Sequence, residues 1–121
     1  MTAPRTISVP TLDHGPIPIS EPAWCTGHTD HQPGYRVDLT HTGLEHPFAF
    51  EGEVLLVAML TQAPFTETGS PETGLYIEQT GYARTLDPTE LTRLAAAFVV
   101  YATHLRTLER QLSAIKAGEA R

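Results

Sequence analysis

Residues 86–90, Leu-Asp-Pro-Thr-Glu, set the largest element of this chain because they carry the signals that start a helix. The aspartate is a preferred N-cap residue, proline suits the first helical position, and the glutamate can complete a capping box. Downstream, no proline or interior glycine occurs before Gly118. The sequence therefore predicts one long C-terminal helix over residues 87–117.

An apolar stripe runs along this helix with the three-four spacing of a heptad seam. A helix of about 30 residues is about 45 Å long, whereas a compact body of 87 residues is only about 30 Å across. Its last turns are therefore expected to extend beyond the sheet and to contact a second copy or another protein. The alternative is that the helix docks entirely on its own domain. The predicted partner-binding residues are Tyr101, Leu105, Leu108, Leu112 and Ile115.

Upstream of the helix, the sequence predicts an antiparallel sheet over residues 34–86. The run Val54–Leu60 is apolar on both faces, which favours a central strand. Shorter stretches rich in β-formers predict further strands at Thr6–Val9, Tyr35–Thr40, Phe48–Phe50, Gly74–Gln79 and Tyr82–Thr85. The predicted fold is α+β, with a small sheet of about four to five strands packed against one long helix.

Length and composition favour a single domain spanning residues 1–121. Residues 10–33 contain five prolines, and this density predicts an irregular segment. The formal net charge of -6 disfavours nucleic-acid binding, and no apolar run is long enough for a membrane helix. With only one cysteine, the chain cannot form an internal disulfide. We therefore expect a soluble cytoplasmic protein.

One cluster in the irregular segment hints at site chemistry. Cys25 and His28 have the spacing of a close metal-binding pair, and His41 follows as a distant third ligand. Either Glu21 or His31 can complete a tetrahedral set for Zn²⁺, whose usual protein ligands are thiolate, imidazole and carboxylate. The alternative is that these side chains only pack or hydrogen-bond, because a single Cys-x-x-His lacks the second close pair of specific zinc motifs.

The sequence gives little support for an enzymatic function. The chain has no Gly-x-Ser-x-Gly turn, no His-Glu-x-x-His helix and no phosphate-binding glycine loop. Cys25 and His41 can be written as a nucleophile and base with Asp38 as the orienting group, but such combinations arise by chance in chains of this length. These observations favour a protein that is not an enzyme.

The chain also resembles a family of uncharacterised small actinobacterial proteins. The matching pieces are the segment Glu21–Cys25, which ends in Trp-Cys, the following His28, the Asp-Leu-x-His-x-Gly element at 38–43 and the helix start at 86–88. The resemblance implies that Trp24, Cys25, His28 and His41 form one constellation, and it implies no activity. Where the family carries a first cysteine, this chain has Glu21, so a two-cysteine metal site does not carry over.

The sequence thus favours a non-catalytic interaction or regulatory protein, either a homodimer or a protein that binds another through the C-terminal helix. The alternative is a small zinc-binding domain that uses the Cys25, His28 and His41 cluster, with hydrolytic activity if a coordination position stays open.

Overall fold

The computed structural model describes residues 5–29 and 31–119. They form an α+β arrangement with two antiparallel sheets and one long C-terminal helix, which confirms the predicted fold class. The chain divides into two compact units. Unit 1 contains the described residues up to Leu44 together with Met59–Leu75, and unit 2 contains Glu45–Ala58 together with the described residues from Tyr76 onward.

Unit 1 begins with a hairpin of β1 (Arg5–Thr11) and β2 (Gly15–Glu21). The first predicted strand is confirmed, but the prediction that residues 10–33 are irregular is wrong for β2. Pro10 pairs with Pro16, and Pro18 occupies the same alternating set of positions in the register. In an antiparallel pair this set can be the non-hydrogen-bonded one, where a missing N–H costs the ladder nothing. The prolines are therefore compatible with this strand.

A short 3-10 helix at Arg36–Asp38 replaces the strand that we predicted at Tyr35–Thr40. The amide of Asp38 donates to the Tyr35 carbonyl at 3.0 Å, and the amide of Leu39 donates to the Arg36 carbonyl at 3.2 Å. These two amides bond to carbonyls three residues earlier and not to a neighbouring β-strand. The turn still buries Leu39, which forms the core of unit 1 with Val9 and Ile19.

The strand β5 (Glu53–Gln62) contributes residues to both units and confirms the predicted central strand. In unit 1 its end pairs with β3 (His41–Thr42), and in unit 2 its beginning pairs with β4 (His46–Phe50). The β4–β5 turn has positive φ at Glu51 and Gly52, 50° and 80°, which suits a tight two-residue hairpin loop.

The strand β6 (Gly74–Gln79) also pairs with β5, but Tyr82–Thr85 forms no strand, so that prediction is wrong. At the end of β6, the amide and the hydroxyl of Thr80 both bind the Leu55 carbonyl, at 3.1 Å and 3.0 Å. Gly81 then takes a φ of 84° and turns the chain. The following residues lead into the helix without a strand partner.

The helix α1 (Pro88–Glu119) confirms the long-helix prediction. Its capping box is formed in both directions: the Glu90 amide donates to Asp87 Oδ1 at 2.8 Å, and the Asp87 amide donates to Glu90 Oε1 at 3.1 Å. Within unit 2, α1 packs on β4, where the Phe48 ring lies 4.6 Å from that of Phe98 and 5.0 Å from that of Tyr101. No helix in the described residues has the length and apolar character needed to cross a bilayer.

Candidate metal centre

Two segments of unit 1 bring the predicted cluster together. After β2, the Cys25 amide donates to the Pro22 carbonyl at 3.0 Å and forms a turn that carries the thiol inward. The Thr26 amide then donates to the Thr42 carbonyl at 2.9 Å, which fastens this loop beside β3. His41 is the first residue of β3 and is 1% exposed. The loop and the strand thus face each other across the cluster.

Three ligand atoms have the spacing of a tetrahedral zinc site. Cys25 Sγ lies 3.7 Å from His28 Nε2, and His28 Nε2 lies 3.2 Å from His41 Nδ1. All three ligand atoms are within 4.8 Å of one another. Zinc bonds of about 2.3 Å to sulfur and 2.0–2.1 Å to nitrogen, at tetrahedral angles, separate such atoms by about 3.6 Å and about 3.3 Å. Two of the three separations therefore match tetrahedral zinc, and the third, between Cys25 Sγ and the His41 nitrogen, is no more than 4.8 Å.

The thiol of Cys25 is kept neutral in the absence of a cation. Burial raises its pKa above 9.0, and the nearby Glu21 carboxylate raises it further, although backbone amides oppose both effects. One of these amides, that of Gly27, donates to Sγ at 3.4 Å. This arrangement disfavours Cys25 as a free nucleophile, because the thiolate is the reactive form. A bound cation would instead stabilise the thiolate, which the same amide donors also favour.

The two histidines are held in the neutral form that binds metals. Burial lowers the pKa of His28 below 6.5, and it does the same for His41, where the neighbouring His28 lowers the pKa further. A hydrogen bond to the Ser20 carbonyl works in the opposite direction on His41. A carbonyl that accepts from one ring nitrogen leaves the other free for a ligand bond. That pattern fits His41 as a ligand through Nδ1.

Glu21 brings a buried carboxylate oxygen to the same place. Its side chain is 2% exposed, and Oε2 accepts a 2.7 Å hydrogen bond from Arg5 Nε. This bond holds the pKa of Glu21 below 4.5 although burial opposes it. Oε1 is buried and has no hydrogen-bond partner of ordinary geometry among the described residues, while the nearby Cys25 thiol also lowers the pKa of the carboxyl. It lies beneath the Gly27 turn, where a Cβ would come within 3.9 Å. A buried charged oxygen without a partner is costly, and a cation would remove that cost.

A surface depression gives access to the site, and Trp24 packs against it. A solvent-open depression of about 330 Å³, lined by Thr26, Gly27, His28, Thr29 and His31, gives an ion a path to His28. On the other side, the Trp24 ring meets the His41 ring edge-on at 6.5 Å. Trp24 also packs against Gly43, where a Cβ would come within 3.5 Å of the indole. The small residue lets the indole cover the buried histidine.

The five predicted metal ligands are thus not equivalent. The structure groups Cys25, His28 and His41, and that group does not include Glu21 or His31. The ring of His31 lies 5.7 Å from that of His28, but its Nε2 is 3.2 Å from the Pro10 carbonyl. Sequence reasoning missed Arg5 and Gly27, since the hairpin register and a left-handed turn, neither visible in residue spacing, place them here.

The predicted partner-binding stripe of α1 is largely covered by the chain itself. Tyr101 and Leu108 are buried, while Leu105, Leu112 and Ile115 are half-buried. The Tyr101 hydroxyl donates to the His46 carbonyl at 2.6 Å. The large apolar side chains that α1 does expose lie in its first half, at Leu91, Phe98, Val99 and Val100. A partner role for the stripe stays a prediction.

Comparison with known proteins gives one family, whose function is unknown. A family described as a domain of unknown function, DUF6907, matches residues 6–114. No curated protein and no solved structure matches the chain.

Proposed function

We propose that this chain, which belongs to the family DUF6907, is a non-catalytic zinc-binding domain in which one ion organises the loop between β2 and β3. Cys25, His28 and His41 supply three ligands. The observation that carries the proposal is the match between their 3.7 Å and 3.2 Å separations and tetrahedral zinc.

The fourth ligand we assign is Glu21, through Oε1. That oxygen is buried and has no partner among the described residues, and it lies against the turn that also holds Cys25. This oxygen is outside the present three-atom group, so the Glu21 side chain would have to move to reach the ion. Four protein ligands close the coordination sphere, which is characteristic of structural rather than catalytic zinc. A closed sphere leaves no position for a reactive water.

Zinc binding also accounts for the composition of unit 1. Among the described residues, its buried apolar side chains are few: the cluster of Val9, Ile19 and Leu39, and Leu60 of β5. The segment that carries the ligands contains no strand from residue 22 to residue 40 apart from one isolated bridge at Gly34, in the part of the chain that the structure describes. An ion that joins Glu21, Cys25 and His28 to His41 would order this segment, and its binding free energy would appear as folding free energy.

Metal titration of the full chain tests the proposal. Chelator-treated protein should bind one equivalent of Zn²⁺ tightly by isothermal titration calorimetry, and native mass spectrometry should show the added ion. The variants Cys25→Ser and His41→Gln should each lower the affinity at least tenfold, and Glu21→Gln should do so if it is the fourth ligand. The matched control is His31→Gln, in the same loop but outside the group, which should bind as the wild type does.

The outcomes separate the alternatives. If wild-type protein binds no zinc with better than micromolar affinity, the proposal is wrong. If Glu21→Gln binds normally but Cys25→Ser does not, zinc is held by three protein ligands and a solvent position, and hydrolytic activity must be tested.

We also propose a cytoplasmic location and an actinobacterial source; a reducing compartment keeps Cys25 available as a ligand.

The second proposal is self-association through α1, and the exposed apolar side chains of its first half favour it. Val99 and Val100 are 69% and 72% exposed. A second copy offers the same surface, so a two-fold contact would be self-complementary. Lysine at both positions should halve the mass of a wild-type dimer in light scattering, whereas Ser113→Lys, exposed in the second half of α1 and away from this patch, serves as the control. A wild-type monomer at high concentration would exclude self-association.

A further inference from the structure

A second group of imidazoles lies in unit 2, apart from the metal ligands of unit 1. His46 is the first residue of β4, and His104 lies on α1. The His104 Nε2 is 2.7 Å from the His46 Nδ1, and the ring centroids are 4.8 Å apart. Residues 58 positions apart in the sequence thus bring two metal-binding nitrogens into direct contact.

Both rings are positioned by their surroundings. The Tyr101 hydroxyl donates to the backbone carbonyl of His46 at 2.6 Å, which fixes the start of β4 against α1. The Tyr101 ring lies nearly parallel to that of His104, at 10° and 5.9 Å, and Phe48 stacks on Tyr101 at 5.0 Å. A ligand that binds both histidines would therefore lose little conformational entropy by ordering them.

From this geometry we propose a second metal site, a two-histidine chelate that takes a divalent transition-metal ion of the kind that prefers imidazole, such as Ni²⁺, Cu²⁺ or Zn²⁺. The contact between the two nitrogens means that one ring donates a proton that the other accepts. For a cation to bind both nitrogens, the donating ring would carry its proton on its other nitrogen instead, a change of tautomer in which no proton is lost overall. Metal bonds of about 2.0–2.1 Å at a tetrahedral angle require the nitrogens to separate to about 3.3 Å, a small outward movement for side chains at the surface.

The neutral form of His46 is compatible with metal binding. Burial lowers the pKa of His46 below 6.5, and the adjacent His104 lowers it further. The lowered pKa favours neutral imidazole, the form of His46 that can bind a metal. His104 is exposed, so water can complete the coordination sphere. Such an ion would join β4 to α1 and stabilise unit 2 in proportion to the logarithm of its concentration.

Nickel titration of the zinc-loaded full chain tests the site. Wild-type protein should bind one further equivalent of Ni²⁺ with micromolar affinity by calorimetry, and the midpoint of thermal unfolding should rise with nickel concentration. The variant His104→Gln keeps an amide that can donate to His46 Nδ1 but removes the ligand nitrogen. It should bind nickel at least tenfold more weakly. The control is His14→Gln, at an exposed histidine in unit 1.

A second readout locates the ion. Ni²⁺ should broaden the NMR signals of the His46, Tyr101 and His104 rings before any others in the zinc-loaded wild type, and it should broaden them in Cys25→Ser as well. The Cys25→Ser result separates this proposal from the zinc site, because loss of the thiolate should leave nickel binding in unit 2 intact. Equal nickel affinity in His104→Gln and wild type, or broadening that begins at His28 and His41 instead, would overturn the second site.

Discussion

The two compact units are stabilised by different kinds of interaction. Unit 2 has a capped helix, a tight hairpin and an aromatic cluster at Phe48, Phe98 and Tyr101. Unit 1 has a small apolar core and places a buried histidine, His41, and a buried carboxylate, Glu21, beside the thiol of Cys25. Buried polar groups stabilise a fold only when they are paired. Glu21 Oε1 has no hydrogen-bond partner among the described residues, and the proposed zinc ion would supply one in unit 1.

Removing zinc should have the largest effect and should separate the two units. Structural zinc contributes on the order of 10 kcal/mol to the folding of small domains. A chelator should therefore abolish amide protection in residues 22–42 in hydrogen-exchange mass spectrometry, while the helical circular dichroism from α1 persists. Re-addition of Zn²⁺ should restore protection, and Mg²⁺ should not. If hydrogen exchange in residues 22–42 is the same with and without chelator, unit 1 is stable without metal. The two units would then not differ in their dependence on a metal.

In unit 2, the largest effect should come from Phe48→Ala. The ring is buried between two aromatic partners on α1, and truncation of a buried phenylalanine typically costs about 3–5 kcal/mol. Urea denaturation monitored through the helix signal should show this loss. Tyr76→Ala, at a half-exposed position of β6, is the control and should change stability by less than about 0.5–1 kcal/mol. Similar losses in both variants would argue against an aromatic core in unit 2.

A smaller effect is expected from Tyr101→Phe, which removes only the hydroxyl bound to the His46 carbonyl. The unfolding free energy at neutral pH should fall by about 1–2 kcal/mol, the usual range for a lost hydrogen bond that leaves a partner unpaired. Urea denaturation measures this change, and Tyr82→Phe, a tyrosine outside the contact, is the control. An unchanged stability would mean that water replaces the hydroxyl without cost.

The same tyrosine predicts the direction of an alkaline pH effect. Burial raises the pKa of Tyr101 above 10.0 in the folded state. Above pH 10 the unfolded chain releases the phenol proton while the folded chain keeps it, so the unfolded state binds fewer protons and stability falls as pH rises. Tyr101→Phe removes this contribution, and its deficit relative to wild type should shrink above pH 10. A deficit that stays constant with pH would contradict the raised pKa.

The smallest predicted effect concerns the start of α1. Asp87→Ala removes the side chain that accepts from the Glu90 amide and should lower the unfolding free energy by about 1 kcal/mol. Asp87→Asn keeps an accepting oxygen and is the matched control, because asparagine is an equally good N-cap residue. Denaturant midpoints compare the variants. Equal losses in both would indicate that the charge near the helix end matters more than the cap.

Much of unit 2 was predictable because its signals are local. The capping box joins residues three positions apart, and the turn at Glu51 and Gly52 joins two neighbouring strands. The prediction failed at Tyr35–Thr40, where a period-two pattern occurs in a 3-10 turn that buries Leu39. It also failed at β2, because prolines exclude only positions whose N–H must enter the ladder, and the register decides which positions those are.

By itself, the sequence determined the residue types that could form a site and the close pair Cys25 and His28, since spacing along the chain sets which side chains share a turn. Only the tertiary structure decided that His41, and not His31, joins that pair, and that an oxygen of Glu21 is buried without a partner among the described residues. The same holds for the contact between His46 and His104. These juxtapositions depend on how strands and the helix pack, and packing distances are not encoded in any local pattern.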